Sequence, residues 1–367
     1  MNIPLTKRVS MIELFYDLVF AYMISQATSL IHHLSHGVIS ITSLFTFFIV
    51  VIVFINSWMI QSVFTNRYGE STWTDIAFYF IDMMVLLYMT NSFSATSFRD
   101  MRIFFTAAGI LSFTLMLQYL IVYFKTSEIV DKKIAQSYVL ILLFRTVTLL
   151  IGGLINTYIG NVIAIAGVII SWMMPMLTGK YAKEHPIIFS HLLERLTLLI
   201  IITFGETIIG IADYFKPTIF SVYSILIFLI VAALFFTYIN EFDHQIEEKR
   251  TGQTGFLLIY LHYLILFGLS LITVSLKFIN EREANTVFAI SALYGGIFLF
   301  YLGIAAALHY NLEKFRNQKT LTLLTLLITV VGYILCLFFP SFGLITVITM
   351  IITLFSAALK VSLFYTR

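Results

Sequence analysis

Phe47-Phe48-Ile49-Val50-Val51-Ile52-Val53-Phe54-Ile55 is an unbroken apolar run. Strands of a closed membrane barrel alternate apolar and polar side chains over about ten positions, and this run does not alternate. It lies inside a longer apolar segment, 39–63. A hydrocarbon core of roughly 30 Å takes about 20 mostly apolar residues in helical form. Backbone groups cannot stay unpaired against lipid, so the segment is expected to be a transmembrane helix.

Eleven further segments share this length and character, giving twelve in all: 11–33, 39–63, 74–92, 102–124, 135–156, 158–177, 191–213, 218–239, 254–277, 286–308, 320–339 and 342–364. The turns between 135–156 and 158–177, and between 320–339 and 342–364, are minimal; tight hairpins and broken helices both fit there. Of the 367 residues 60% are hydrophobic and 11% charged, and the mean hydropathy is +0.96. A soluble domain carries roughly 25% charged residues, and no water-soluble fold could hide this much apolar surface. The expected fold is therefore an all-α polytopic membrane bundle of about twelve spans, forming a single membrane domain over 1–367. The first apolar run holds Glu13 and Asp17 and no evident cleavage site follows it, so it is expected to be retained rather than removed as a signal peptide.

Charge placement orients the bundle. With twelve spans and the N-terminus inside, fifteen Lys and Arg residues fall on the cytoplasmic side, among them Lys7, Arg67, Lys125, Arg316, Lys360 and Arg367. Only Arg99, Arg102, Lys216, Lys277 and Arg282 fall outside. That asymmetry predicts both termini in the cytoplasm. The two halves, 1–184 and 185–367, echo one another faintly. Glu13, Ile55-Asn56-Ser57 and Phe78–Asp82 recur about 180 residues later as Glu194, Ile239-Asn240-Glu241 and Leu258–His262. Such spacing fits a six-plus-six duplication with parallel halves, an arrangement known among transporters.

The residues that should not be in lipid are the informative ones. Glu13 and Asp17 lie four apart on one helix face. They fit a proton or cation site, or a headgroup-level cap charge in the case of Glu13. Asp82, Glu206 and Arg145 lie well inside apolar spans, where a charge costs several kcal/mol and must face protein or a water cavity. Arg145 is expected to pair with Glu206, Asp82 or Asp17, either as a structural ion pair or as part of proton-handling chemistry. His262 fits a proton relay or a single interhelical hydrogen bond. His191, Glu194 and Arg195 read as a headgroup cluster at the start of the seventh span. Glycine at 205 beside Glu206 suits close helix approach or a local break.

Other chemistries find no support in the sequence. A net charge of +3 scattered over short connections argues against a nucleic-acid surface. Eight histidines and the single Cys336 form no zinc-like spacing, and one cysteine permits no intrachain disulfide. Gly152-Gly153 is not followed by the Gly-Lys-Ser/Thr of a nucleotide-binding loop. No metal, cofactor or catalytic set is expected. The expected partners are the lipid bilayer and a small solute or ion, with homo-oligomerisation left open.

Arg8-Val9-Ser10-Met11-Ile12-Glu13-Leu14-Phe15-Tyr16-Asp17-Leu18-Val19-Phe20 resembles the opening signature of the bacterial low temperature requirement A (LtrA) proteins. A second signature resembles His191-Leu192-Leu193-Glu194-Arg195-Leu196, continuing to Phe204-Gly205-Glu206-Thr207. Tyr260-Leu261-His262-Tyr263 is a weaker match, without the proline that commonly follows the histidine in that family. The resemblance covers nearly the whole chain. It implies a polytopic protein of the bacterial inner (cytoplasmic) membrane, with Glu13, Asp17, Glu194, Glu206 and His262 at the family's characteristic polar positions; it implies no particular molecular activity. Three function classes follow. The first is a proton- or cation-coupled secondary transporter acting through Asp17, Asp82, Glu206 and His262, with Arg145 as a counter-charge. The second is an envelope scaffold or regulator, and the third a membrane enzyme acting on lipid.

Overall fold

In the computed structural model, which describes residues 6–92, 101–155, 157–175, 179–315 and 318–365, the chain is almost wholly helical. Arg99, Arg316 and Arg367, counted above for topology, lie outside the described residues. Each of the twelve expected segments contains one long helix. These are α1 (Met11–Ser29), α2 (Ile41–Tyr68), α3 (Trp73–Thr90), α4 (Arg102–Lys125), α5 (Ile129–Leu154), α6 (Tyr158–Met173), α8 (Phe189–Ile211), α9 (Val222–Phe242), α10 (Phe256–Phe278), α11 (Thr286–Ala307), α12 (Lys319–Phe338) and α13 (Phe342–Tyr365). A short α7 (Gly179–Glu184) precedes α8.

Among the described residues, ten of the helices are long and apolar enough to cross a membrane. The two others differ for physical reasons. Helix α1 carries Glu13, Asp17 and Gln26 within its 19 residues, which lowers its hydropathy. Helix α6 is apolar but has only 16 residues. Helix α5 starts at Ile129 rather than at 135, because its first turn, with Asp131, Lys132 and Lys133, continues the helix beyond the apolar segment. Helices α12 and α13 are continuous and joined by a turn at Pro340, so that pair is a tight hairpin. The first segment stops at Ser29. Beyond it Leu34–Ser35 (β1) and Val38–Ile39 (β2) form a small antiparallel hairpin. Its turn places His36 at φ 53° and Gly37 at φ 82°, the left-handed pair that a two-residue hairpin turn requires.

The chain divides into two compact units. The first comprises residues 1–31, 41–199 and 248–257, hence α1–α7 and the start of α8. The second comprises residues 32–40, 200–247 and 258–367, hence the remainder of α8 and of α10 with α9 and α11–α13.

Helix α2 is the core of the first unit. Of its most apolar stretch 78% is buried, against 33% for α3. Its buried face carries Asn56, Ser57, Gln61, Ser62, Thr65 and Asn66, an unusual polar load for an enclosed helix. Helix α3 shows how the pattern partitions. Asp82, Met83 and Leu86 point inward, while Phe80, Met84, Leu87 and Tyr88 are exposed on the opposite face. An apolar face of that size belongs against lipid. In the second unit α9 packs on α13, and α11 on α12. Buried Thr325, Thr329, Thr349 and Thr353 run down the α12 and α13 faces, most of their hydroxyls bonded back into the preceding turn of their own helix.

Candidate functional site

One group of buried polar side chains in the first unit lies where α1 and α8 begin. Helix α1 is started by Ser10, whose backbone N–H and hydroxyl both donate to Glu13 Oε2 at 2.8 Å. That capping box turns the first-turn carboxylate inward. Glu13 Oε1 then lies 3.1 Å from His191 Nε2 and 3.5 Å from Arg195 Nη1 of α8. One turn deeper, Asp17 Oδ1 accepts from Arg195 Nη2 at 2.5 Å and from Trp58 Nε1 at 2.7 Å, and Arg195 Nε donates to Oδ2 at 3.3 Å. The Trp58 ring lies 5.2 Å from the same guanidinium. His191 Nδ1 meets the Asn66 amide at 3.1 Å, and Asn66 also brackets the backbone of Ile188. Glu13, Asp17, His191 and Arg195 are all essentially without exposure. The cluster is therefore a closed ion-pair network joining α1, α2 and α8.

Asp82 is equally buried but differently partnered. Thr114 Oγ1 lies 2.5 Å from Asp82 Oδ1 and 2.7 Å from the Leu111 carbonyl. Gln118 Nε2 donates to Oδ2 at 3.3 Å, while Gln118 Oε1 accepts from Gln61 Nε2 at 3.1 Å. Among the described residues Asp82 has no cationic partner. A hydroxyl has one hydrogen, so Thr114 can donate to the carboxylate or to Leu111, but not to both. When Asp82 is ionised, Thr114 donates to it. When Asp82 is protonated, it donates to Thr114, which then donates to Leu111. Both protonation states are thus satisfied without moving a heavy atom.

Gln118 also lines a cavity of about 490 Å³ open at this end of the unit, together with Lys7, Arg67, Asp75, Asp131 and His185. One side chain therefore separates Asp82 from the cavity. Lys7 Nζ caps the end of α2, donating to the carbonyls of Thr65 at 2.5 Å and Gly69 at 2.7 Å, where a cation offsets the partial negative charge of a helix C-terminus. Burial pushes the Lys7 ammonium below the usual lysine range, against the pull of Glu13 and Asp75. Asp131 is taken by His185 and by the Tyr68 hydroxyl at 3.2 Å. Asp75 accepts from the backbone of Thr72 and Glu70, completing the cap of α3.

The other predicted positions scatter. Arg145 Nη2 donates to Ser57 Oγ at 2.8 Å and to the Val53 carbonyl at 3.3 Å, tying α5 to α2. The guanidinium that meets Asp17 belongs to Arg195. Glu194 is exposed on α8, whereas its neighbour Arg195 enters the cluster. In the second unit Glu206 is half-buried. His262 is fully buried, with Nδ1 2.6 Å from the Leu258 carbonyl and Nε2 3.1 Å from the Tyr238 hydroxyl. One ring nitrogen donates and the other accepts, which satisfies a neutral imidazole. A Cβ added at Gly205 would meet no described atom within 4 Å, so this glycine is not a point of close helix approach. The second unit also holds an ion pair that the sequence reading missed. Lys360 Nζ, counted above among the cytoplasmic charges, is buried on α13 and donates to Glu241 Oε2 at 2.8 Å; Asn311 donates to the other oxygen at 2.8 Å.

His191 and Arg195 carry a signal that the sequence did offer. They stand four apart on one helix, as Glu13 and Asp17 do on another, and a His–Arg pair and a Glu–Asp pair at one-turn spacing can mate along facing helices.

Helical, apolar-faced and multi-spanning, the chain belongs by its architecture to the polytopic membrane proteins. The profile described as bacterial low temperature requirement A protein (LtrA) matches residues 8–356, and the chain belongs to that family. No curated protein and no solved structure matches it.

Proposed function

We propose that this chain is a proton-coupled secondary transporter of a small solute, in which Asp82 carries the proton. The observation that supports it most directly is the Asp82–Thr114–Leu111 arrangement, one glutamine away from an open cavity. A carboxyl that gains and loses a proton inside a membrane needs partners that suit both forms and a wet route to one side. Thr114 and Gln118 supply the first, and the cavity supplies the second. Glu206, half-buried in the second unit, is the second carboxyl of the reading. The proposed orientation follows the Lys and Arg asymmetry, with both termini and the cavity mouth on the cytoplasmic side of the cytoplasmic membrane. The proposed architecture is two duplicated halves, 1–184 and 185–367.

One observation favours the second reading, a scaffold or regulator of the envelope. The Glu13–Asp17–His191–Arg195 network is sealed in direct pairs and has the form of a helix clamp. Flux separates the two readings. The full-length protein is reconstituted in vesicles holding a pH-sensitive dye, and gradients from a panel of small solutes are imposed. At least one solute is expected to drive internal pH change, with a loss of tenfold or more in Asp82→Asn. Absence of any solute-driven change in the wild type, or equal rates in the variant, would overturn the transporter reading in favour of the scaffold.

A further inference from the structure

The cavity beside Gln118 is lined by a cation, Arg67, that the protein uses only in part. Arg67 stands in the last turn of α2, and its Nε donates to the His185 carbonyl at 3.1 Å. That bond fixes the plane of the guanidinium. Nη1 and Nη2 are both buried and have no hydrogen-bond partner. The neighbouring acids do not answer them. Asp131 is engaged by His185 and Tyr68, Asp75 by the backbone at the start of α3, and Glu70, which lines the same cavity, makes no ion pair with Arg67 among the described residues. A guanidinium with two idle, desolvated N–H edges is costly unless something accepts from it. Its fork geometry matches a carboxylate or phosphate, which can accept from two donors at once.

Its surroundings suit such a ligand. Tyr68, Ile121, Val122, Phe78 and Pro186 give the cavity apolar walls, and its volume of about 490 Å³ takes a small organic molecule. Lys125 and Lys7 line the same space, alongside Glu70, Asp75 and Asp131. Gln118, which bonds Asp82, closes the inner end.

From this geometry we infer that Arg67 is the anchor of an anion-binding site, taking the carboxylate or phosphate of its ligand on Nη1 and Nη2 once the side chains that cover these two atoms give way. The inference deepens the transporter reading and rests on it for one point only: that the anion bound here is the solute moved. The same oxyanion chemistry is offered by a free solute and by an anionic lipid headgroup at the membrane surface.

The test is binding, measured separately from flux. Purified full-length protein in a neutral detergent is titrated calorimetrically with acetate, succinate and inorganic phosphate. It is then placed in nanodiscs of phosphatidylcholine alone or with phosphatidylglycerol, and its thermal stability is compared. Saturable binding of a free anion is expected, weakened tenfold or more by Arg67→Gln and by Arg67→Lys, which keeps the charge but loses the fork. Stabilisation by phosphatidylglycerol alone, lost in both variants, identifies the oxyanion as a headgroup and also supports the site. Arg67→Lys guards against a folding failure, since it retains a donor near the His185 carbonyl. Binding that is unchanged in both variants, or no response to any probe, would overturn the site. Asp82→Asn keeps the two readings apart. If it binds the anion like the wild type and no flux exists in either, the site stands and the transporter reading falls. If Asp82-dependent flux persists in Arg67→Lys with undiminished anion binding, the site falls and the transporter reading stands.

Discussion

Two carboxylate sites are buried in the same unit and built in opposite ways. Asp17 takes the Nε–Nη2 edge of the Arg195 guanidinium and the Trp58 indole, with Glu13, one turn away, leaning on Nη1 of the same arginine and on His191. Asp82 takes a hydroxyl and an amide, and among the described residues no cation. A carboxylate matched by a fixed cation cannot change protonation without orphaning that cation, so the first site acts as a clamp between helices. A carboxyl held by groups that reorient can change protonation cheaply. The second site is suited to carrying a proton and the first to holding α1 against α8.

The largest effect that would break this contrast is on stability. Arg195→Met leaves Asp17 buried without its main partner and Glu13 with only His191 and Ser10, and breaking a buried pair from one side costs about 3–5 kcal/mol. The thermal unfolding midpoint of the detergent-solubilised protein is expected to fall steeply. The double variant Asp17→Leu with Arg195→Met removes both charges and is expected to regain much of that loss, because the burial penalty goes with the pair. An unchanged midpoint in Arg195→Met would mean that the network is no clamp.

Next in size is Thr114→Val, which keeps the shape and deletes the hydroxyl. Leaving Asp82 short of one partner is expected to cost about 1–3 kcal/mol. In reconstituted vesicles, solute-driven proton movement is expected to slow by more than the loss of folded protein explains. Thr114→Ser, which restores the hydroxyl, is expected to restore the rate. Equal rates in Thr114→Val and wild type would remove the hydroxyl switch from the mechanism, even if Asp82 itself remained essential.

Much of this fold is written in hydropathy alone. Twelve apolar segments became twelve helices, since lipid leaves the backbone no alternative to internal hydrogen bonding. The misjudged ends have local causes. The charged turn of Asp131, Lys132 and Lys133 is helical though not apolar, and Lys360, counted as a cytoplasmic charge, is a buried partner of Glu241. Buried polarity was visible at Glu13, Asp17 and Asp82 because charge inside an apolar run stands out. The partners were not, since pairing is a tertiary fact. Arg195 lies 178 residues from Asp17, and Thr114 and Gln118 are ordinary residues until they face Asp82. Arg67 sits at a helix end, where sequence reads any arginine as an interfacial topology signal. Its idle Nη atoms emerge only once its neighbours are in place.

The smallest expected effect concerns Gly205, beside Glu206 in the second unit. Glycine in a membrane helix commonly marks close packing, and Gly152 in α5 shows what that looks like. A Cβ there would stand 2.5 Å from Ala164 Cβ and 2.6 Å from the Gly160 carbonyl, so α6 could not approach as it does. At Gly205 an added Cβ meets no described atom within 4 Å, and the residue is exposed within a continuous helix. Alanine is the better helix former by about 0.8–1.0 kcal/mol in helix interiors. Gly205→Ala is therefore expected to leave the unfolding midpoint unchanged or raise it slightly, where Gly152→Ala lowers it. A clear drop in Gly205→Ala would show that the glycine is needed for something other than the packing seen here. The nearest such need is room for Glu206 to change position in the proposed transport cycle, which would move the second carboxyl from a static to a mobile part of that proposal.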